Sequence, residues 1–179
     1  MKKRNLLFSV CMLLFFGTAN AALPLIGFYQ TIDDVTQKPK SIVALYEYKD
    51  GNDNKLGGRI VALYDKDGNG KITETMNNPI RIAEKVEGKP KMAGLDIIWN
   101  MEWDADDFEY EDGKIMDPKK GSVYRSVIWQ EKNEPKKLRV RGKIGPFGRT
   151  QTWNVMNRSD LPSDLQKLDT KNWKPVVME

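Results

Sequence analysis

The sequence contains no histidine and one cysteine, Cys11. Without histidine, nucleophile activation by a Ser-His-Asp or Cys-His arrangement is excluded, and so is the usual proton switch near neutral pH. A zinc site of the ordinary Cys/His ligand set and an internal disulfide are excluded as well. No apolar run reaches the roughly 20 residues that a membrane-spanning helix requires. We therefore expect a non-enzymatic protein without a cofactor and without a membrane span.

The first 21 residues have the three-part pattern of a secretory signal peptide. A basic start at residues 2–4 precedes the apolar run Leu6–Phe16, and Ala-Asn-Ala at residues 19–21 supplies small residues for cleavage. We predict cleavage after Ala21 and a periplasmic or secreted protein, and Cys11 would leave with the signal. Removing the three basic signal residues from the chain's 29 leaves 26 against 25 acidic residues, so the net charge falls from +4 to +1. This near-neutral domain lacks the basic excess typical of nucleic-acid binding, and we expect no nucleic-acid partner.

The remaining chain alternates short β-rich runs with clusters of Gly, Pro, Asn and Asp, which predicts many strands joined by turns. The predicted strands are Gly27–Tyr29, Ser41–Lys49, Gly57–Tyr64, Ile80–Val86, Gly94–Trp103, Phe108–Ile115, Ser122–Gln130, Lys137–Ile144 and Gly148–Val155. No long segment before residue 158 has a helical apolar period, and one or two helical turns are predicted around Ser163–Leu168. The pattern favours an all-β, antiparallel up-and-down barrel of about eight strands over residues 22–158, followed by a tail at 159–179.

Two charged segments lie on the predicted strands. Asp104–Asp112 holds six acidic residues in nine, which is typical of a solvated strand edge, and a cation site or a docking face for the basic strand is the alternative. Arg139, Arg141 and Lys143 share one face of a strand, with Arg149 close by in the next. Pairing with acidic side chains on an outer face is the simpler interpretation, and an anion-binding rim at a barrel mouth is the alternative.

The segment from Asp65 to Thr73 resembles a calcium-binding EF-hand loop at its start. Asp65, Asp67 and Asn69 occupy the first three ligand positions, but position twelve, where calcium needs a bidentate carboxylate, is Met76. The flanking residues also read as strands. The pattern therefore favours a polar turn between two strands, with a weak calcium site as the alternative.

Aromatic residues are numerous for a domain of this size, and most are expected to fill a core. Some of them are candidates to line an internal pocket for a small molecule. These cavity-lining candidates are Tyr46, Tyr48, Trp99, Tyr124, Trp129 and Trp153.

Several strings together resemble the DUF2147 family of small exported bacterial proteins. They are Gly27-Phe28-Tyr29, SIV at 41–43, GRIV at 58–61, GLDI at 94–97, GKIMDPKKGSVY at 113–124 and LRVRGKIGPFGRTQTW at 138–153. The resemblance implies a lipocalin-like (calycin-type) β-barrel that is exported and binds a small apolar or amphipathic molecule, and it implies no catalytic residues. Lipocalin-like barrels often begin with Gly-x-Trp, whose Trp closes one barrel end beneath an Arg from the last strand. Tyr29 stands in place of that Trp, and Arg149 is the candidate Arg for such a barrel-end plug through a cation–π contact.

The leading hypothesis is thus an exported carrier or sensor with an internal cavity. A second hypothesis is an envelope structural or interaction protein with a filled barrel, whose acidic and basic patches bind an unknown protein partner. An enzyme using carboxylates alone, for example Glu102 and Asp104, is the third. An empty apolar cavity of roughly 300 Å³ or more would favour the first hypothesis, and a barrel filled with side chains at native density would favour the second.

Overall fold

The computed structural model describes residues 25–177 as nine β-strands and one short 3-10 turn, Arg158–Asp160. The strands are β1 (Gly27–Ile32), β2 (Pro39–Asp50), β3 (Asp53–Tyr64), β4 (Ile72–Thr75), β5 (Asp96–Asp104), β6 (Glu109–Asp117), β7 (Ser122–Trp129), β8 (Lys137–Ile144) and β9 (Phe147–Met156). Every pairing between them is antiparallel. The predicted signal peptide lies outside the described residues.

Eight of these strands close into a barrel. Neighbours follow the order β2-β1-β9-β8-β7-β6-β5-β3, and the pairing of β2 with β3 closes the cylinder. The ninth strand, β4, is an addition to the barrel. It pairs with Ala62–Tyr64 at the end of β3, whereas β5 pairs with the earlier part, Leu56–Arg59. The predicted antiparallel barrel is confirmed.

The connections sort into two ends of the barrel. Those joining β1 to β2, β3 to β4, β6 to β7 and β8 to β9 lie at one end, and those joining β2 to β3, β5 to β6 and β7 to β8 lie at the other. We call the first end the mouth and the second the closed end. The acidic segment Asp104–Asp112 runs from the last residue of β5 through the β5–β6 connection into the start of β6, so it belongs to the closed end.

The middle of β2 is apolar on both faces because both faces are buried. Val43 and Leu45 belong to the cluster inside the barrel. Ile42 and Ala44 point outward and pack in a second cluster with Leu161, Leu165 and Trp173 of the segment after β9. Residues 157–177 therefore cover part of the outer barrel surface. Around Ser163–Leu168 this segment forms consecutive turns, with Leu165 N donating to Pro162 O and Leu168 N to Leu165 O.

The predicted strand Ile80–Val86 is wrong. Its only ladder contact in the described part of the chain is an isolated bridge between Ile82 and Lys91. Pro79 precedes the segment and Pro90 follows it, and neither can donate to a ladder, so the chain folds back on itself as a loop. β4, which follows the Asp65–Lys71 turn, is the strand that continues from β3 instead.

A buried carboxylate anchors this loop to β4. Glu74 accepts hydrogen bonds from the backbone N of Ile80 and of Arg81, and it forms an ion pair with Arg81. Burial alone would raise the pKa of Glu74, but the hydrogen bonds and the Arg81 charge lower it overall. The loop's apolar side chains, Ala83 and Val86, join the inner cluster.

No helix among residues 25–177 is long and apolar enough to cross a membrane.

Candidate functional site

The mouth opens into a cavity of about 900 Å³ inside the barrel. Its walls come from the inner faces of the strands, and its rim comes from the four connections at the mouth and from the loop after β4. The volume lies within the 300–1,000 Å³ typical of small-molecule sites and exceeds the ~300 Å³ that separates a ligand site from a filled barrel.

The deeper wall of the cavity is apolar. Strand β8 alternates as predicted: Val140 and Gly142 line the cavity, and the alternating basic residues Arg139, Arg141 and Lys143 do not. The wall is completed by Ile60, Leu63, Ile97, Ile115, Met116 and Trp153. All of these except Ile115 are buried, so an apolar ligand chain would be removed from water here.

Polar groups lie nearer the rim, and several of them are paired. The hydroxyls of Thr31 and Ser41 are 2.7 Å apart, and both residues are buried in the wall. Gln151 Nε2 donates to Asp34 Oδ2 at 2.8 Å, and Arg149 pairs with the same carboxylate at 2.6 Å. These contacts hold the β1–β2 connection against β9.

Lys40 is a half-buried basic residue of this lining. In the described part of the chain its ammonium takes part in no ion pair and no hydrogen bond. Burial lowers the pKa of Lys40 and Lys119 lowers it further, whereas Asp117, Asp33 and Asp34 raise it. A half-buried cation without a partner at a cavity wall is suited to an anionic ligand group, because pairing would offset its desolvation.

Two of the six predicted lining residues line the cavity. Tyr124 projects from β7 beside Gly142, and Trp153 lies on β9 with its indole nitrogen donating to Gln151 Oε1 at 3.1 Å. Trp153 is buried and Tyr124 is half-buried, so the cavity has an aromatic side on β7 and β9.

The other four do not reach the cavity. Trp99 packs within the inner cluster, and Trp129 donates its indole N–H to the exposed Glu131. Tyr46 and Tyr48 share one face of β2, as predicted, but that face is the outer one. The prediction for these two is corrected, because alternation cannot tell the inner face from the outer face when the C-terminal segment buries both.

Tyr46 instead joins a buried polar cluster outside the barrel. The Asp96 carboxylate accepts from Tyr46 Oη at 2.7 Å, from Arg59 Nε at 2.9 Å and Nη2 at 2.8 Å, and from Val176 N at 2.8 Å. The Trp173 ring lies 4.3 Å from the Arg59 guanidinium carbon. Burial, and then the charge of Asp96, raises the pKa of Tyr46. This cluster attaches the C-terminal segment to the barrel.

The structure does not bring the predicted plug residues together. Tyr29 lies in the inner cluster with its hydroxyl donating to Leu25 O at 3.0 Å, on the side away from the mouth, and burial raises its pKa to about 12. Arg149 lies at the mouth in its ion pair with Asp34. Because they lie toward opposite ends of the barrel, the cation–π contact between them is not formed.

The predicted calcium loop is the β3–β4 turn, as its flanking strands suggested. Asp65 N donates to Lys71 O, and Asn69 Oδ1 accepts from Lys71 N. Lys38 Nζ donates to Asp67 O, so a cation already lies on the loop. The two carboxylate oxygens of Asp65 are buried without a hydrogen-bond partner. Among residues 25–177 no three His, Cys, Asp or Glu side chains converge as metal ligands, and calcium binding stays a prediction.

The basic face of β8 is partly paired, as the simpler interpretation expected. Arg139 forms an ion pair with Glu134 and bonds Thr152 on β9. Arg149, however, belongs to the mouth and not to this outer face. Glu102, the carboxylate named with Asp104 as a candidate enzymatic pair, forms an ion pair with Lys55, and neither Glu102 nor Asp104 lines the cavity.

Sequence reasoning missed Lys40 as a site residue. Its alternation with Ile42 places it on the outer face of β2. A register irregularity where Ile32 of β1 pairs with Pro39 of β2 brings Lys40 to the mouth instead. A β-bulge of this kind leaves no mark in the pattern of apolar residues.

A closed, antiparallel eight-stranded barrel with an apolar cavity open at one end defines this protein as a lipocalin-like barrel. A solved structure described as "Protein HP1028 from the human pathogen Helicobacter pylori belongs to the lipocalin family" is similar, with a TM-score of 0.53. That similarity has 19% sequence identity and covers 83% of this chain and 92% of the other, and it concerns the fold. The chain belongs to the DUF2147 family, described as uncharacterized proteins conserved in bacteria, whose model matches residues 27–155. No curated protein matches the sequence.

Proposed function

We propose that this protein is an exported, non-enzymatic carrier or sensor that binds a small amphipathic molecule in the barrel. The ligand's apolar chain would occupy the lower cavity, and its anionic head group would lie beside Lys40 at the mouth. The observation that supports this proposal most strongly is the cavity of about 900 Å³, which is apolar in its depth and has an unpaired cation near its rim.

Burial of an apolar chain is the main source of affinity in this proposal. Each methylene transferred from water into such a wall contributes about 0.8 kcal/mol. The lining of Ile60, Ile97, Met116, Val140 and Trp153 offers a continuous apolar surface for this purpose. The cavity also argues against the alternative of a filled barrel that acts only through its surface patches.

The head group follows from the charge at Lys40. A hydrogen bond to a charged group contributes about 1.5–3 kcal/mol, which corresponds to roughly a ten- to hundredfold preference for an anion over a neutral head. A cationic head would meet both Lys40 and Lys119. The ligand class that fits is therefore a long-chain carboxylate or a similar anion.

Export and the absence of catalysis are further parts of the proposal. Export rests on the amino-terminal basic, apolar and small-residue pattern of the first 21 residues. A binding role without conversion is supported by the deeper wall of the cavity, which carries the aliphatic, thioether and aromatic side chains of Ile60, Leu63, Ile97, Met116, Val140 and Trp153.

The test compares three ligands that share a dodecyl chain and differ in the head group: dodecanoate, dodecanol and dodecyltrimethylammonium. Calorimetric titration should give the order dodecanoate, then dodecanol, then the cation. Lys40→Gln should reduce dodecanoate affinity by about tenfold and leave dodecanol unchanged. Lys136→Gln, at the closed end, is the matched control.

Absence of binding by all three ligands would contradict the carrier proposal itself. Equal affinity for the three head groups, in contrast, would keep the cavity as the binding site and remove Lys40 from it.

A further inference from the structure

The mouth of the barrel carries large apolar side chains that extend into solvent. Ile144 and Phe147 flank the β8–β9 turn and are 64% and 79% exposed, and Val35 on the β1–β2 connection is 87% exposed. Exposed apolar residues scattered singly need no explanation, but a contiguous group marks an interaction surface.

These three side chains belong to one part of the rim. β1 and β9 are adjacent in the barrel, and Asp34, next to Val35, is bound by Arg149 and Gln151 of β9. The β1–β2 connection and the β8–β9 hairpin are therefore held side by side. We call Val35, Ile144 and Phe147 the mouth tips.

Basic side chains surround the mouth tips. Seven basic and four acidic residues line the cavity and its rim, and two of the basic residues, Arg81 and Arg149, are already paired with Glu74 and Asp34. Of the four lining acids, Asp33 accepts three hydrogen bonds within its own turn, and Asp117 caps the β6–β7 turn through Lys119 N. Lys66 and Lys120 are exposed at this rim.

The closed end has the opposite charge. The six acidic residues of Asp104–Asp112 lie there, and Asp50 and Asp53 flank the β2–β3 turn. The barrel is thus basic and apolar at its mouth and acidic at the other end. A negatively charged surface would attract the mouth and repel the closed end, which orients the molecule.

We propose that the mouth docks on the surface of an anionic phospholipid bilayer, with the mouth tips inserted among the head groups and the rim lysines bound to phosphate. The combination of protruding apolar side chains and a basic ring is the chemistry by which peripheral proteins bind such surfaces. A protein partner or a second copy of the chain would account for the apolar mouth tips but would not account for the exposed lysines at the rim. Docking in this orientation places the cavity opening against the lipid.

The test is flotation of the protein with vesicles, one set of phosphatidylcholine alone and one containing phosphatidylglycerol. The chain beginning at Ala22 is used because the apolar run Leu6–Phe16 would bind lipid by itself. Residues 25–177 contain the whole closed barrel and its core, so this chain retains the fold. We expect association with the anionic vesicles, weakened by added salt.

Two pairs of variants separate the contributions of the mouth from those of the closed end. Phe147→Ser should lower the fraction bound about tenfold, as expected for the loss of one interfacial phenylalanine, while Phe108→Ser at the closed end should leave it unchanged. The double variant Lys66→Gln/Lys120→Gln should weaken binding, whereas Lys49→Gln/Lys136→Gln, with the same charge change at the closed end, should not.

No association with anionic vesicles would overturn the proposal, and so would association that Phe147→Ser leaves intact. Size-exclusion chromatography, run beside the flotation, tests whether a second copy of the chain binds the mouth tips instead of lipid. A dimer that Phe147→Ser dissociates, without vesicle binding, would assign the mouth tips to a second copy of the chain and overturn docking on lipid.

Discussion

Gly142→Leu offers the sharpest perturbation of the cavity. Gly142 lies on the inner face of β8 at the cavity wall, and a Cβ placed there would lie 3.6 Å from Tyr124 Cβ and 3.7 Å from Ile115 Cγ2. Both are ordinary van der Waals distances. A leucine side chain at this position would therefore extend into the cavity without displacing the wall.

The magnitudes follow from the volume that the leucine fills. If it displaces about four methylenes of a bound chain, at ~0.8 kcal/mol each, the loss is about 3 kcal/mol, or roughly a hundredfold in dodecanoate affinity. Folding stability should move the other way. Replacing a glycine within a strand gains about 0.5–1 kcal/mol, and the new apolar contacts add to it. For a chain of this size a gain of about 1 kcal/mol raises Tm by roughly 2–4 °C.

The assay pairs calorimetric titration of dodecanoate with thermal unfolding of the same samples. Thr150→Leu, on the outward face of the adjacent strand β9, is the control and should bind dodecanoate like the parent chain. A Gly142→Leu protein that is more stable and still binds dodecanoate with parental affinity would refute the assignment of the cavity. A loss of several kcal/mol in stability would show instead that this part of the interior is filled.

Three further predictions concern pH and stability. Dodecanoate affinity should fall as pH rises from neutral toward the ordinary lysine pKa of 10.5, because Lys40, whose pKa is lowered in the free protein, must be protonated to pair with the carboxylate. The affinity for dodecanol, titrated in parallel, should show no such fall. A dodecanoate affinity that does not change with pH would show that Lys40 does not bind the carboxylate. Asp96→Ala should cost about 3–5 kcal/mol of unfolding free energy in urea, since it removes the carboxylate that pairs the Arg59 guanidinium and the Tyr46 hydroxyl. Glu102→Ala, which breaks an ion pair whose carboxylate side is 58% exposed, should cost less than about 1 kcal/mol. Equal losses would contradict the role given to the cluster around Asp96. Gly113→Ala would place a Cβ 2.7 Å from Met101 N and should cost about 1–3 kcal/mol by overpacking, so unchanged stability in the same urea assay would show that β5 and β6 approach less closely.

The sequence predicts the barrel because its strands alternate and are separated by strong turns. Lys137–Ile144 is the clearest example: Leu138 and Val140 are buried inside, as the pattern requires, and the basic residues face out. The Asp65–Lys71 turn was also predictable, because strand-like residues flank it and the final EF-hand ligand is missing.

What escaped prediction depends on contacts between distant segments. The outward position of Tyr46 depends on the C-terminal segment, whose Trp173 lies 5.2 Å from its ring centroid. The loop at 80–86 is apolar enough for a strand, but Glu74 binds its backbone and the flanking prolines prevent a ladder. Lys40 reaches the mouth through a local register irregularity, which the pattern of residue types does not encode.

The most direct measurement is a crystal structure of the protein with dodecanoate brominated at its methyl end, which locates both ends of the ligand. We predict the anomalous bromine peak deep in the barrel, between Ile97 and Trp153, and the carboxylate within hydrogen-bonding distance of Lys40 Nζ. A bromine on the outer surface beneath the C-terminal segment, or an empty barrel at saturating ligand, would contradict the assignment of the barrel interior as the binding site.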